Sequence, residues 1–391
     1  MIHTDLLNPE VRKYLLDHLT EHPADFLLRS HPFEIDPKTL TQQLVGLQKS
    51  LKKFPELHEH PSILFPPKMN LEQTSSASTA FYKSQIVSGN SMVDLTGGWG
   101  VDVLAFAKAG FQSTHIERDK ELQAYSQHLF KARQLDVKSL NLDGIEYAYE
   151  HLDHVDLIYM DPSRKTEKSA KAVRLEDYEP DVLEHLELLL HKCNYLMIKT
   201  SPMLDITMGM EQLKHVSHLH VVSVKNEVKE LLWILERESV QTQVHCVNLE
   251  TDQPTLIYNL NKVEKSMEYS APKNYLYEPN SSIMKAQAFD ALTLNYAVDK
   301  LDINTHLFTS RELISFPGRI FEIKAIHPYK PKSIKKLFGK QNRGVVTRNF
   351  KNSVKELRAK FQIGEDDSQY LFFTQIHGGK PVVIECEKVV H

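Results

Sequence analysis

The stretch Met92-Val93-Asp94-Leu95-Thr96-Gly97-Gly98-Trp99-Gly100-Val101-Asp102 leaves this chain few folds to choose from. Residues 91–95 form a brief apolar run with an acid near its end, the pattern of a buried central strand. Three glycines within four positions let the backbone turn sharply and approach a ligand closely. Val101, Leu104, Ala105, Ala107 and Ala109 then recur at helical spacing. A strand that enters a helix through glycines leaves unpaired amides at the mouth of an open α/β sheet, where ligands bind. The spacing Gly-Gly-x-Gly is not the G-x-G-x-x-G dinucleotide fingerprint, and no Lys-Ser/Thr pair follows as in a P-loop. The stretch therefore implies either a nucleoside-type ligand at the turn or a turn shaped only by tight packing.

Downstream, strand and helix patterns alternate to about Arg237. Strands are expected over 91–95, 114–117, 137–142, 155–160, 195–199, 220–224 and 230–235, with helices over 120–133 and 179–191. Such alternation predicts a mostly parallel sheet with helices on both faces. Right-handed crossovers bring the carboxyl ends of its strands to one rim. Asp94, Thr96, Gly97, Gly98 and Gly100 fall at the first strand end. Glu117, at the second, is placed either to accept two ribose hydroxyls or to join a salt bridge. Asp143 ends the third strand, where a carboxylate takes an adenine amino group. Asp161-Pro162-Ser163-Arg164-Lys165 ends the fourth, and proline fixes the backbone so that Asp161 and its carbonyls present acceptors at a defined position. Upstream, the hydroxyls of 74–79 either cap a short helix or, with Gln73, Thr74 and Ser75, line the ligand pocket while Lys83 faces a carboxylate.

At 391 residues the chain has room for two or three domains. Cys193, Cys246 and Cys386 are far apart and odd in number, so neither a disulfide framework nor a cysteine metal site is expected. No run approaches the roughly 20 apolar residues of a membrane span. The first residues lack the basic and apolar regions of a signal peptide. These features predict a cytoplasmic protein with neither membrane nor metal partner. The net charge of −4 conceals an asymmetry, because 316–360 holds thirteen Lys and Arg against two Glu. That local excess is either a nucleic-acid footprint or a solvated face.

Outside the alternating region, residues 1–70 read as helical segments punctuated by proline, with starts at Asn8-Pro9 and Asp36-Pro37. Beyond Glu238, short strands over 242–248 and 255–260 precede a helix capped at Asn280-Ser281-Ser282. Further strands are expected over 320–323, 345–346, 370–374 and 381–384, and basic helices over 333–338 and 353–360. The expected domains are 1–70, 71–238, 239–314 and 315–391.

Taken together, Asp94 to Gly100, Glu117 with Asp143, and Asp161-Pro162 resemble the class I S-adenosylmethionine-dependent methyltransferases. The resemblance covers roughly 72–237 and implies a Rossmann-like α/β sheet. It places Asp94, Gly97 and Gly98 around the methionine part of the cofactor, Glu117 at the ribose and Asp143 at the adenine. Glu72-Gln73-Thr74-Ser75-Ser76, Asp161 to Lys165, Arg174 to Pro180 and Tyr275 to Asn280 are similar to a group of bacterial methyltransferases with small α+β domains after the catalytic sheet. Those domains are ferredoxin-like and THUMP-like, which implies RNA (rRNA or tRNA) as the substrate class. Exocyclic-amine methyltransferases carry a second proline and an aromatic residue after Asp/Asn-Pro, whereas this chain has Ser163 and Arg164. Arg164 either stacks on a base or holds phosphate, or pairs with Glu176 or Asp177. Asp161, Pro162, Arg164 and Lys165 are the expected catalytic group. Two other readings remain: a nonenzymatic RNA-binding protein on this fold, and a methyltransferase acting on protein or a small molecule.

Overall fold

The computed structural model describes residues 4–164, 174–239, 241–262 and 268–389. The chain forms two compact units, Met1–His218 with Leu231–Val240, and Leu219–Glu230 with Gln241–His391.

The first unit is built on β1 (Ser91–Asp94), β2 (Gln112–Ile116), β3 (Val137–Leu140) and β4 (Val155–Met160). Two-residue strands β5 (Ser163–Arg164) and β6 (Tyr178–Glu179) follow, then β7 (Cys193–Thr200); β8 (Val216–Val224) lies mostly in the second unit, and β9 (Glu227–Leu235) returns to the first from Leu231 on. Across this unit the order is β3, β2, β1, β4, β7, β9. Val93 lies opposite Thr114 on one side and Ile158 on the other, both in parallel register. β4 and β7 are nearly continuous apolar runs because a central parallel strand is covered on both faces; Leu157, Ile158, Leu196, Met197 and Ile198 are completely buried. Acidic caps start the crossover helices. Asp119 accepts from the amides of Glu121 and Leu122, and Asp143 from those of Ile145 and Glu146. The last strand departs from the parallel expectation, since Leu196 pairs with Leu235 in antiparallel register. Lys225 and Asn226 both have positive φ (48° and 67°), the two-residue turn that reverses a strand directly.

The N-terminal helices include Pro9–Asp17, capped by Asn8, and Pro37–Lys53, capped by Asp36. Leu40, Leu44, Leu47, Phe54 and Phe65 share one core with Trp99, Val101, Leu104, Leu129 and Phe130. Trp99, the residue between the second and third glycines, is 1% exposed. Its ring lies 5.5 Å from Phe54 and 5.6 Å from Phe65, within the range of favourable aromatic contacts. The helical segment thus packs behind the glycine turn.

In the second unit, β10 (Gln243–Leu249) and β11 (Leu256–Asn259) pair antiparallel. There follow β12 (Tyr275–Pro279), β13 (Asp299–Asp302), β14 (Thr305–Ser310), β15 (Gly318–Pro328), β16 (Gly344–Arg348), β17 (Gln369–Ile376) and β18 (Lys380–Lys388). These seven form one sheet in the order β13, β14, β12, β15, β18, β17, β16. Leu276 opposite Phe321 joins the halves on either side of residue 315 into that sheet. Helices Pro331–Phe338 and Val354–Phe361 cover one face through Ile334, Phe338, Leu357 and Phe361. β13 and β14 are absent from the sequence expectation. Asp299-Lys300-Leu301-Asp302 reads as polar, yet Lys300 is buried and donates to the Ile303 carbonyl at 2.7 Å.

Because Trp99 is wholly enclosed by the shared core, Trp99→Ala is expected to cost about 3–5 kcal/mol. Urea unfolding measures this, and a loss under about 1 kcal/mol, the size of a surface change, contradicts the packing described.

Candidate active site

The glycine turn is shaped by its neighbours on β2 and on the following helix. A Cβ on Gly97 would lie 2.5 Å from both His115 Nε2 and the Ile116 carbonyl, and one on Gly100 would lie 2.5 Å from the Phe130 ring. Gly98 has φ +58°, and a Cβ there would meet nothing nearer than the Thr96 carbonyl at 3.8 Å, so space lies open beside it. Gly98 is gripped through its peptide groups. Its amide donates to Glu117 Oε2 at 2.8 Å, and Glu117 Oε1 accepts from the Asp119 amide at 2.7 Å. Its carbonyl accepts from Ser126 Oγ at 2.7 Å and lies 3.2 Å from His115 Nε2. A carbonyl only accepts, so Nε2 carries the proton and Nδ1 accepts from Ser139 Oγ at 3.1 Å. Burial pushes the His115 pKa down to about 4 and keeps the ring neutral. Burial also raises the Glu117 carboxyl, against the two amides that lower it.

Asp94 points away from solvent. Its Oδ1 accepts from the Thr96 amide at 2.9 Å and hydroxyl at 3.0 Å. Burial holds its pKa well above the usual carboxylate range, with Asp102 and Asp161 adding to the shift. Thr96 Oγ1 in turn accepts from the Asp161 amide at 2.7 Å. The Asp161 carboxylate pairs with Lys199 Nζ at 2.5 Å, Lys199 standing at the end of β7. A line of bonds therefore runs from Asp94 through Thr96 to Asp161 and Lys199, tying the ends of β1, β4 and β7. Pro162 is buried, and Ser163–Arg164 pairs with Tyr178–Glu179. The side chain of Arg164, and Lys165 with the rest of 165–173, lie outside the described residues. Gln212 donates to Glu176 at 2.7 Å, while Asp177 accepts from the Arg174 amide at 2.9 Å.

The upstream residues divide. Lys83 is completely buried and lies 3.3 Å from Asp102 Oδ1. Ser75 joins the pair, accepting from Lys83 at 3.1 Å and donating to Asp102 at 2.8 Å. Burial pushes the Asp102 carboxyl up, but Lys83, Lys199 and the hydroxyls of Ser75 and Tyr159 outweigh it and hold it below the usual range. Ser76, not Ser75, caps the helix Ala77–Gln85. Thr74 donates to the Asn70 carbonyl at 2.7 Å, and Gln73 is exposed beside it. Lys53 pins the residues just before, donating to the carbonyls of Leu71 at 2.6 Å and Glu72 at 3.1 Å. Desolvation, with Lys199 and Lys49 nearby, lowers its pKa to about 8. Asp143 Oδ1 accepts two helix amides, and a Cβ on Gly144 would lie 1.9 Å from the Leu95 carbonyl. The third strand end is thereby pressed against the first.

Sequence reasoning missed His115, Ser126, Lys199 and Lys53. The first two look like ordinary members of a strand and a helix. Lys199 is visible only as a charge closing an apolar strand, and Lys53 only as a helix-terminal lysine. A cavity of about 490 Å³, lined by His154, His191, Asn194 and Arg237 among others, opens at the amino ends of β4 and β7 and includes none of the rim residues.

Residues 275–317 match a family model of a ferredoxin-like domain, and 318–388 one of a THUMP-like domain. No curated protein matches the chain. Among solved structures, it is similar to a protein described as a putative methyltransferase from Porphyromonas gingivalis W83, with a TM-score of 0.87 and 29% identity over 100% of both chains. Part of the chain is similar to a SAM-dependent methyltransferase from Agrobacterium tumefaciens, at 19% identity, TM-score 0.25, and coverage of 32% of this chain and 42% of that one. Another similarity is to the 16S rRNA N2 G1207 methyltransferase of T. thermophilus, in complex with AdoMet and guanosine, at 16% identity, TM-score 0.32 and 44% of each chain.

The buried imidazole gives the turn a pH signature. An unfolded histidine titrates near 6.5, whereas folded His115 titrates at about 4. Between these values the unfolded chain binds the extra proton, so stability falls as pH drops. Urea unfolding at pH 7 and pH 5 is expected to show the wild type losing about 2 kcal/mol more than His115→Gln, which keeps an N–H donor but does not titrate. Equal losses contradict a neutral buried His115.

Proposed function

We propose that this chain, which belongs by fold and domain order to the class I S-adenosylmethionine-dependent methyltransferases with ferredoxin-like and THUMP-like domains, methylates a base in rRNA or tRNA in the cytoplasm. The observation that carries the reading is the bonded line from Asp94 and Thr96 to Asp161. It joins the glycine turn to the Asp161-Pro162 pair on neighbouring strands of one rim.

The residues present fit the cofactor. The open side of Gly98 admits a ligand against the backbone. Glu117 uses one amide on each oxygen, and a carboxylate oxygen accepts more than one hydrogen bond, so both remain able to take ribose hydroxyls. Asp143 accepts helix amides at Oδ1, which leaves Oδ2 for an adenine amino group. Gln73, Thr74 and Gly100 border the same turn in this reading. Ser75 and Lys83 support it from within through Asp102. When bound, S-adenosylmethionine supplies an activated methyl group. The work left to the protein is positioning, which contributes most when reacting atoms are held in line. Asp161, fixed by Lys199 on one oxygen and through its amide by Thr96, offers a defined acceptor to the substrate. Arg164 and Lys165 are assigned to RNA phosphate or base contacts, and a target inside a duplex must be flipped out.

No helix among the described residues is long and apolar enough to cross a membrane, and the three cysteines are buried free thiols, in keeping with a reducing compartment.

Calorimetry with S-adenosylmethionine tests the pocket: Glu117→Ala is expected to weaken binding at least tenfold, and unchanged affinity contradicts the assignment. Lys199→Met is expected to retain cofactor affinity while lowering methyl transfer to RNA by 10-fold or more, with partial recovery in Lys199→Arg. A Lys199→Met enzyme of normal rate contradicts the role given to the ion pair.

A further inference from the structure

The expectation that this chain has no metal partner rests on its cysteines, and its histidines are arranged differently. His218 and His220 are alternate residues of β8, so their side chains leave the same face of the sheet. β10 is a neighbouring strand in that sheet, and it carries His245. The three imidazoles converge. Each offers a ring nitrogen, and these nitrogens all lie within 4.8 Å of one another. His220 is 3% exposed, while His218 and His245 are half-buried, so the group is anchored inside and reachable from outside.

The donors are all of one kind. Cys246, next along β10, is completely buried and is turned to the opposite face by the same alternation. Among the described residues no carboxylate belongs to the group. The rings of His220 and His245 stack with centroids 4.1 Å apart and planes 13° from parallel. Two imidazolium ions at that distance would repel, which favours the neutral form that binds a metal. Stacking accounts for two of the rings. It gives no reason for a third imidazole within ligand distance of both.

Imidazole nitrogen suits zinc-type dications, whereas magnesium and calcium take oxygen. Zinc holds histidine nitrogens at about 2.0–2.1 Å in a tetrahedron, which sets each pair of nitrogens about 3.4 Å apart. Nitrogens already within 4.8 Å reach that spacing by side-chain rotation, with the strand backbones kept in place. Three protein ligands leave one tetrahedral position for water or a small anion.

We infer that His218, His220 and His245 form a zinc site that ties β8 to β10 and keeps one coordination position for an exchangeable ligand. The site does not draw on the reaction proposed above, and none of its ligands belongs to the rim assigned to that reaction.

Untagged full-length protein, stripped with EDTA and dialysed, is titrated by calorimetry with Zn²⁺ and, as the control cation, Mg²⁺. One zinc per chain is expected to bind with a Kd of about 1 μM or tighter, and Mg²⁺ not to bind. His218→Gln and His245→Gln, both at half-buried positions, should each weaken zinc binding by about tenfold or more while keeping the wild-type circular dichroism. His377→Gln, at an exposed position outside the group, should leave zinc affinity unchanged. Zinc should raise the Tm of the wild type and not that of the His218→Gln, His245→Gln double variant. Co²⁺ in place of zinc should give the intense visible absorption of a four-coordinate site, without the near-ultraviolet sulfur band that a cysteine ligand adds. That spectrum is read on the wild type and decides the matter even if a variant fails to fold. Failure of the wild type to bind zinc at that affinity, unchanged affinity in the two single variants, the pale spectrum of six-coordinate cobalt, or a sulfur band overturns the inference. Since no methyl transfer is read, failure of RNA labelling by the enzyme removes the proposed reaction without deciding this result.

Discussion

The peptide groups of Gly98 are the point on which the first unit depends. Its amide is held by Glu117 and its carbonyl by Ser126 and His115. These partners come from β2, the residue after it and the next helix, so the turn keeps its shape only if that part of the sheet is correctly assembled. A buried imidazole that must stay neutral is a demanding support, and its low pKa reflects the cost of charging it in an apolar site. Trp99 works from the other side, inserted among aromatic side chains of the N-terminal segment. Glycine spacing therefore does more than relax steric limits. It allows contact distances that any side chain at Gly97 or Gly100 would prevent.

From that turn, order passes to the acceptor side through short polar bonds. Thr96 donates to Asp94 and accepts from Asp161, so one hydroxyl sets the spacing of two strand ends. Lys199 then gives the Asp161 carboxylate a defined partner. Nearby, Lys83 and Asp102 form a buried ion pair, and the hydroxyls of Ser75 and Tyr159 both donate to Asp102 Oδ2, which helps keep the buried charges tolerable.

Much of this was legible in the sequence because it rests on local pattern. The apolar runs of β1, β4 and β7, and the acids at the ends of β1 to β4, announce the parallel sheet and its rim. Asn8, Asp36 and Asn280 announce helix starts that the structure contains. What was not legible depends on which distant side chains meet. Nothing local marks His115 as the partner of Gly98, or Lys199 as the partner of Asp161. The antiparallel last strand follows from two positive-φ residues, Lys225 and Asn226, that are not a strong turn pair in sequence. β13 was hidden because Lys300 and Asp302 read as surface residues although both are buried. The charge of 316–360 was visible as a sum, but that its four arginines, Lys324 and Lys360 are engaged within the fold required the structure.

The account stands most directly on one measurement. The purified protein is incubated with S-adenosylmethionine labelled in its methyl group and, separately, with total RNA, total protein and small metabolites from cells lacking it. The account predicts label in RNA, in a single class of modified nucleotide, and none above background in the other fractions. Label confined to protein or metabolites, or in no fraction at all, contradicts it.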